Sequence, residues 1–154
     1  MRWRVQRWLF RVMIPKLEIE PALWLWGMPL EERLRSSASP GERIRIVRQT
    51  RGLTQQAVTQ RMRHSTQAVQ VSDWESGKTP SAEPWVADLA QALDIDPAWL
   101  YWGMARDEAL TQTRTLGARL LILRQVRGLS QGGLAAEVKV SRSTISNWEH
   151  DLYP

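Results

Sequence analysis

Apolar residues recur every three or four positions along most of the chain, and no stretch alternates with period two for long. The pattern predicts an all-α fold with no sheet. Between Gly41 and Arg51, residues Ile44, Val47 and Arg48 share one helix face, and Gly52 supplies a stop. A second helix starts after Thr54, whose hydroxyl can cap it. A third covers Gln67 to Glu75, with Val71 and Trp74 three apart so that both can bury. The segment SGKTP then reads as a turn that Pro80 prevents from continuing. A fourth helix spans Glu83 to Leu93, with Val86, Leu89, Ala90 and Leu93 at helical spacing. Asp96 caps a fifth, Pro97 fits its first position and Gly103 ends it.

The pattern then starts again. Three further helices are predicted at Leu116–Arg127, Gln131–Val138 and Arg142–Glu149. The likeness extends to identity. GERIRIVRQTRGLTQ at Gly41 reappears as GARLLILRQVRGLSQ at Gly117, an offset of 117 − 41 = 76. EPALWLWGM at Glu20 is answered by DPAWLYWGM at Asp96, again 96 − 20 = 76. VSDWE at Val71 matches ISNWE at Ile145, an offset of 74, so the middle copy holds two extra residues between Met62 and Gln67. A repeat of this kind decides the architecture.

One whole copy occupies 41–104, flanked by two partial ones. Residues 1–28 carry the fourth and fifth helices of a copy, and 117–154 carry the first three of another. Val5, Trp8, Leu9, Val12 and Met13 supply the amphipathic pattern for that N-terminal fourth helix. Residues 29–40 and 105–116 are polar linkers, flexible or partly helical.

Composition narrows the function. The absence of cysteine excludes disulfides and thiolate zinc sites. A net charge of +5 and a pI near 10.4 favour an anionic partner. Arg11 and Lys16 interrupt the most apolar N-terminal stretch, so neither a membrane span nor a secretory signal fits, and a cytoplasmic location is expected. The nine tryptophans against one phenylalanine suit small helical cores, where one large ring covers much surface. His64 and His150 stand apart, no nucleophile–base pair appears, and Gly132–Gly133 lacks a following Lys-Ser/Thr. No enzyme, cofactor or metal is therefore expected, and both histidines read as surface residues.

GLTQQAV…VSDWESGKTP and GLSQGGLAAEVKVSRSTISNWE resemble the helix-turn-helix family of lambda-repressor-like, Cro-type and xenobiotic-response-element regulators. The shared features are a Thr/Ser-Gln opening the second helix and an aromatic-Glu pair closing the third. The resemblance implies a five-helix fold and double-stranded DNA as partner. It places Gln55 and Gln131 at a phosphate, which a helix N-terminus suits physically. It places Ser141, Arg142, Ser143 and Asn147 at base edges, with Thr144 beside them. Arg can pair with guanine and Asn with adenine. The same positions of the middle copy hold Gln67, Ala68, Val69 and Asp73 with Gln70 alongside. Only Gln67 is a good reader there, and Asp73 repels phosphate, although its carboxylate can accept from cytosine. The resemblance also implies ion pairs Arg48–Glu75 and Arg124–Glu149, with Trp74 and Trp148 as core anchors.

Two departures weaken the last copy. Lys139 stands where the family carries glycine, and Gly132 and Gly133 sit inside a helix. Two readings of the termini remain open: the N-terminal helices complete the C-terminal copy, within a chain or by exchange in a homo-oligomer, or both ends are truncated. Two functions remain open as well: a DNA-binding transcriptional regulator, or an interaction module that keeps the fold without reading DNA.

Overall fold

A computed structural model describes residues 20–79 and 83–152. Among them every regular element is a helix: α1 (Pro21–Trp26), α2 (Leu30–Arg35), α3 (Pro40–Thr50), α4 (Gln55–Arg61), α5 (Ala68–Ser76), α6 (Glu83–Leu93), α7 (Pro97–Trp102), α8 (Arg106–Gln112), α9 (Leu116–Val126), α10 (Gln131–Val138) and α11 (Arg142–Glu149). The predicted N-terminal stretch from Val5 to Met13 and the stop at Pro80 lie outside the described residues.

Local chemistry sets these boundaries. The side chains of Ser39, Thr54, Asp96, Thr115, Ser130 and Ser141 each accept a backbone N–H from the first turn that follows. Gly52 and Gly103 leave their helices at φ 65° and 67°, a left-handed conformation glycine reaches without a Cβ clash. Lys139 takes the same conformation at φ 58°. A lysine there is strained by roughly 1–2 kcal/mol. Lys139→Gly is expected to raise the unfolding free energy of the last copy by about 1 kcal/mol, read as a shifted urea midpoint with an unchanged slope.

Helices α3 to α7 form the complete unit. Ile44, Val47, Leu53, Val58, Val71, Trp74, Val86, Leu89, Leu93 and Leu100 make one buried cluster. Trp85 of α6 lies over Trp74, with ring centroids 5.8 Å apart. Arg43 on α3 is buried, and its guanidinium donates to the carbonyls of Leu100 and Tyr101 on α7. Burial draws its pKa down from the ordinary value, against the neighbouring Glu42 carboxylate, which raises it.

The linkers are ordered helices that pack. Leu34 of α2 is fully buried and Ala109 of α8 nearly so. The junction α1–α2–α3 recurs as α7–α8–α9, with starts at 97 − 21, 106 − 30 and 116 − 40, each 76 apart. In both, the incoming helix packs on the linker helix and on the first helix of the next copy. Trp26 Nε1 donates to Thr50 Oγ1 at 3.1 Å across the first junction. Arg33 stacks on Trp26, and Arg35 stacks on Trp99 while pairing with Glu108 at 2.6 Å. The copies are therefore stacked head to tail through packed helices. EPALWLWGM, expected on the last copy if the chain closes on itself, packs instead on α3 of the middle copy.

The last copy, α9 to α11, is less enclosed. Ile145 is buried, but Trp148, expected as a core anchor, is only half-buried. Its counterpart Trp74 is covered by Trp85, and among the described residues no helix stands at that place over Trp148.

Candidate nucleic-acid interface

Each copy presents its third helix on the same internal frame. In the middle copy Arg48 Nε and Nη2 meet Glu75 Oε1 and Oε2 at 2.5 and 3.0 Å, while Nη1 donates to the Leu53 carbonyl at 2.9 Å. In the last copy Arg124 Nε and Nη2 meet Glu149 Oε1 and Oε2 at 2.5 and 3.1 Å, and Nη1 donates to Leu129 O at 2.7 Å. All four charged residues are buried. The fork geometry fixes direction as well as distance, so it sets the roll of α5 on α3 and of α11 on α9. Glycine makes the approach close enough. A Cβ on Gly41 would lie 2.3 Å from the Trp74 carbonyl oxygen, and one on Gly117 would lie 2.2 Å from that of Trp148.

The expected phosphate glutamines belong to this frame. Gln55 Nε2 donates to Glu75 Oε2 at 3.0 Å and Gln131 Nε2 to Glu149 Oε2 at 2.9 Å. Each amide nitrogen carries two hydrogens, so one remains to face outward. The bonds also tie the start of α4 and α10 to the end of the recognition helix. Sequence reasoning found the Arg–Glu pairs and missed this third member.

On α11, the residues expected at base edges lie together on the surface. Ser141, Arg142, Ser143 and Asn147 are exposed and Thr144 is half-buried. Ser141 Oγ accepts the Thr144 N–H at 3.1 Å and lies 2.8 Å from both Ser143 Oγ and Thr144 Oγ1. This serine network holds the first turn, and Arg142 and Asn147 project from it without entering it. Beside them is an open hollow of about 460 Å³ lined by Ser130, Gln131, Gly132 and Arg142. The hollow lies at the start of α10, where a helix leaves its leading donors without intrahelical acceptors and Ser130 Oγ takes the Gly133 N–H at 2.9 Å.

On α5 the surface is different. Gln67 and Gln70 are exposed, but the Gln70 side-chain Oε1 accepts from the Gln67 N–H at 3.0 Å and from the Thr66 hydroxyl, so it caps the helix. Val69 is 57% exposed, which puts an apolar side chain in the middle of the face. Asp73 lies 3.7 Å from Lys78 Nζ, so its charge is partly offset within the helix end.

The two extra residues of the middle copy also have a role. Asp88 on α6 is buried and accepts the backbone N–H groups of Arg63 and His64 at 2.9 and 3.0 Å. The His64 ring adds Nδ1 at 3.0 Å from Asp88 Oδ2 and an edge contact to Trp85. Burial alone would push the Asp88 carboxyl up, but these donors together hold it below the usual carboxylate range. The longer turn is thus pinned by α6. His64 remains largely exposed, as expected, yet it is anchored.

Known proteins supply the family context. A helix-turn-helix domain family model matches residues 41–100, and a second helix-turn-helix family model matches residues 120–154. No curated protein and no solved structure matches. Among the described residues no helix is long and apolar enough to cross a membrane.

Proposed function

The chain belongs to the lambda-repressor-like helix-turn-helix family, in tandem copies, and from this we propose that it regulates transcription by binding specific DNA through its last copy. The observation that carries this reading is the α11 surface. Arg142 and Asn147 stand exposed five residues apart, about 1.4 turns, on a helix whose roll is locked by Glu149. In the major groove an arginine suits guanine O6 and N7, and an asparagine suits adenine. The leading N–H groups of α10 and the remaining Gln131 amide hydrogen suit a backbone phosphate. Gln67 is the base reader available on the middle copy. As a regulator the protein acts by occupancy, with no enzymatic step and no cofactor, and a cytoplasmic location fits that role.

A second reading has one observation in its favour. The exposed Val69 beside Asp73 suits a protein partner better than a phosphate-lined groove. The middle copy then serves as an interaction module, and α11 alone reads DNA.

Selection of bound sequences from random duplexes at low salt tests the main reading. An enriched motif is expected, with affinity falling linearly in log–log against salt. Arg142→Ala is expected to lose about 1–3 kcal/mol on that motif and to relax preference at one base position. Binding with no preference, or a preference that survives Arg142→Ala, would remove α11 as the reader.

A further inference from the structure

The helices α5 and α11 belong to one packed frame. Linker helix α8 packs on both α7 and α9, and Arg106 at its start pairs with Asp96 at 2.7 Å. Helix α9 packs in turn on α6 and α7 of the middle copy. The turn after α9 approaches α6 too closely to admit a side chain. A Cβ on Gly128 would lie 2.5 Å from the Ala87 methyl. A packed helix, and not a free tether, therefore joins the two copies.

Helix α6 touches the supports of both recognition helices at adjacent residues. Asp88 accepts the backbone N–H groups of Arg63 and His64, so it holds the turn that leads into α5. Ala87 meets Gly128. The next residue, Leu129, accepts from Arg124, the partner of Glu149 at the end of α11. The place of α5 is thus fixed relative to that of α11 through one helix.

The two faces held in this way differ. Gln67, Val69 and Asp73 stand on α5 where Ser141, Ser143 and Asn147 stand on α11. Gln67 suits adenine, and the exposed Val69 offers an apolar contact to a thymine methyl. Asp73 is offset by Lys78, and exposed Arg61 and Arg63 add positive charge in the segment leading into α5. The contact between copies is also heterologous, because α6 and α7 of one meet α9 of the other. A palindromic site mirrors a two-fold axis in its reader, and no such axis relates α5 to α11.

We propose, building on the reading of DNA by α11, that one molecule reads an asymmetric bipartite site: α11 takes one half and α5 takes a second, unlike half at a spacing set by the contact of α6 with α9. The α11 half carries the guanine and adenine that Arg142 and Asn147 recognise. The α5 half carries adenine and thymine for Gln67 and Val69. The spacing is single-valued. Inserting five base pairs between the halves turns one to the far side of the duplex, about half a helical turn away. Inserting ten restores the face but moves that half by about 34 Å, which a packed frame cannot follow.

The experiment selects bound duplexes with the full chain and then measures affinity on the selected site. Two unlike blocks at one spacing are expected, bound by one chain per duplex in sedimentation velocity. Arg142→Ala should relax the first block only and Gln67→Ala the second only. Val69→Glu leaves the Gln67–Gln70 cap in place and should weaken binding about tenfold or more, with folding of each variant checked by circular dichroism. Insertions of five and of ten base pairs should each cost a similar factor. A palindromic motif, two chains per site, or recovery of affinity at ten base pairs would overturn the proposal. A single block that needs Arg142 but ignores both Gln67→Ala and Val69→Glu would overturn it while leaving α11 as the reader. Absence of any motif would remove both.

Discussion

Glu149→Ala is expected to unfold the last copy while the middle copy stays folded. Glu149 accepts three bonds, two from Arg124 and one from Gln131, and it is 8% exposed. Removing the carboxylate takes two charge-assisted bonds from the Arg124 guanidinium, which is itself 2% exposed. Breaking one side of such a pair costs about 3–5 kcal/mol. With Leu123, Val138 and part of Trp148 open to solvent, the last copy encloses less apolar surface than the middle copy and has less stability to lose. The expected result is loss of part of the helical signal at 25 °C and rapid amide exchange confined to α9–α11. The remaining signal should melt in one cooperative step. Glu75→Ala removes the corresponding bonds from a unit with a closed core. It should lower the midpoint of the middle copy by a similar free energy without abolishing the fold. Equal behaviour of the two variants would show that the two copies do not differ in reserve. Replacing both partners by apolar residues of like volume, as in Arg124→Met with Glu149→Leu, should recover most of the loss, because desolvation is then relieved on both sides.

The contrast between the copies follows from what is local and what is not. Helices α6, α10 and α11 have the bounds their sequence predicts, because caps, periodicity and glycine stops act within a few residues. The exposure of Ser141, Arg142, Ser143 and Asn147 follows from the same local register. The linker helices were harder to read. LEERLR in α2 has two apolar residues and four charges, and its packing depends on Leu34 meeting a pocket built by distant helices. The engagement of Gln55 and Gln131 with the buried glutamates is also tertiary, since it requires three helices to converge. Asp88 did leave a signal: an acid beside the apolar positions Val86 and Leu89 of α6 must find donors if it is buried. Its donors are backbone groups more than twenty residues away, and no spacing rule reveals them.

Gly117→Ala is expected to destabilise the last copy, whereas Gly132→Ala, the same chemical change fifteen residues on, is expected to stabilise it. Alanine is the better helix former in both places, by up to about 1 kcal/mol. Propensity alone therefore predicts a gain twice. Packing reverses the first. A Cβ at Gly117 would sit 2.2 Å from the Trp148 carbonyl oxygen, 2.8 Å from that of Glu149 and 2.9 Å from Asp151 Oδ1. Two of these atoms are backbone of α11, so relief requires α9 and α11 to separate. The Gly117 N–H bond to Asp151 Oδ1, at 2.9 Å, would lengthen with them. Overpacking of this kind costs typically 1–3 kcal/mol, which exceeds the propensity gain. Separation also shifts Glu149 relative to Arg124, and with it the roll of α11 that aims Arg142 and Asn147. A Cβ at Gly132 meets only Ser130 Oγ at 3.9 Å, an ordinary contact. Urea unfolding followed through the last copy should therefore move in opposite directions for the two variants. Specific DNA affinity should fall for Gly117→Ala by more than its folded fraction accounts for. Two shifts of the same sign would mean that propensity, rather than the close crossing of α9 and α11, governs the last copy.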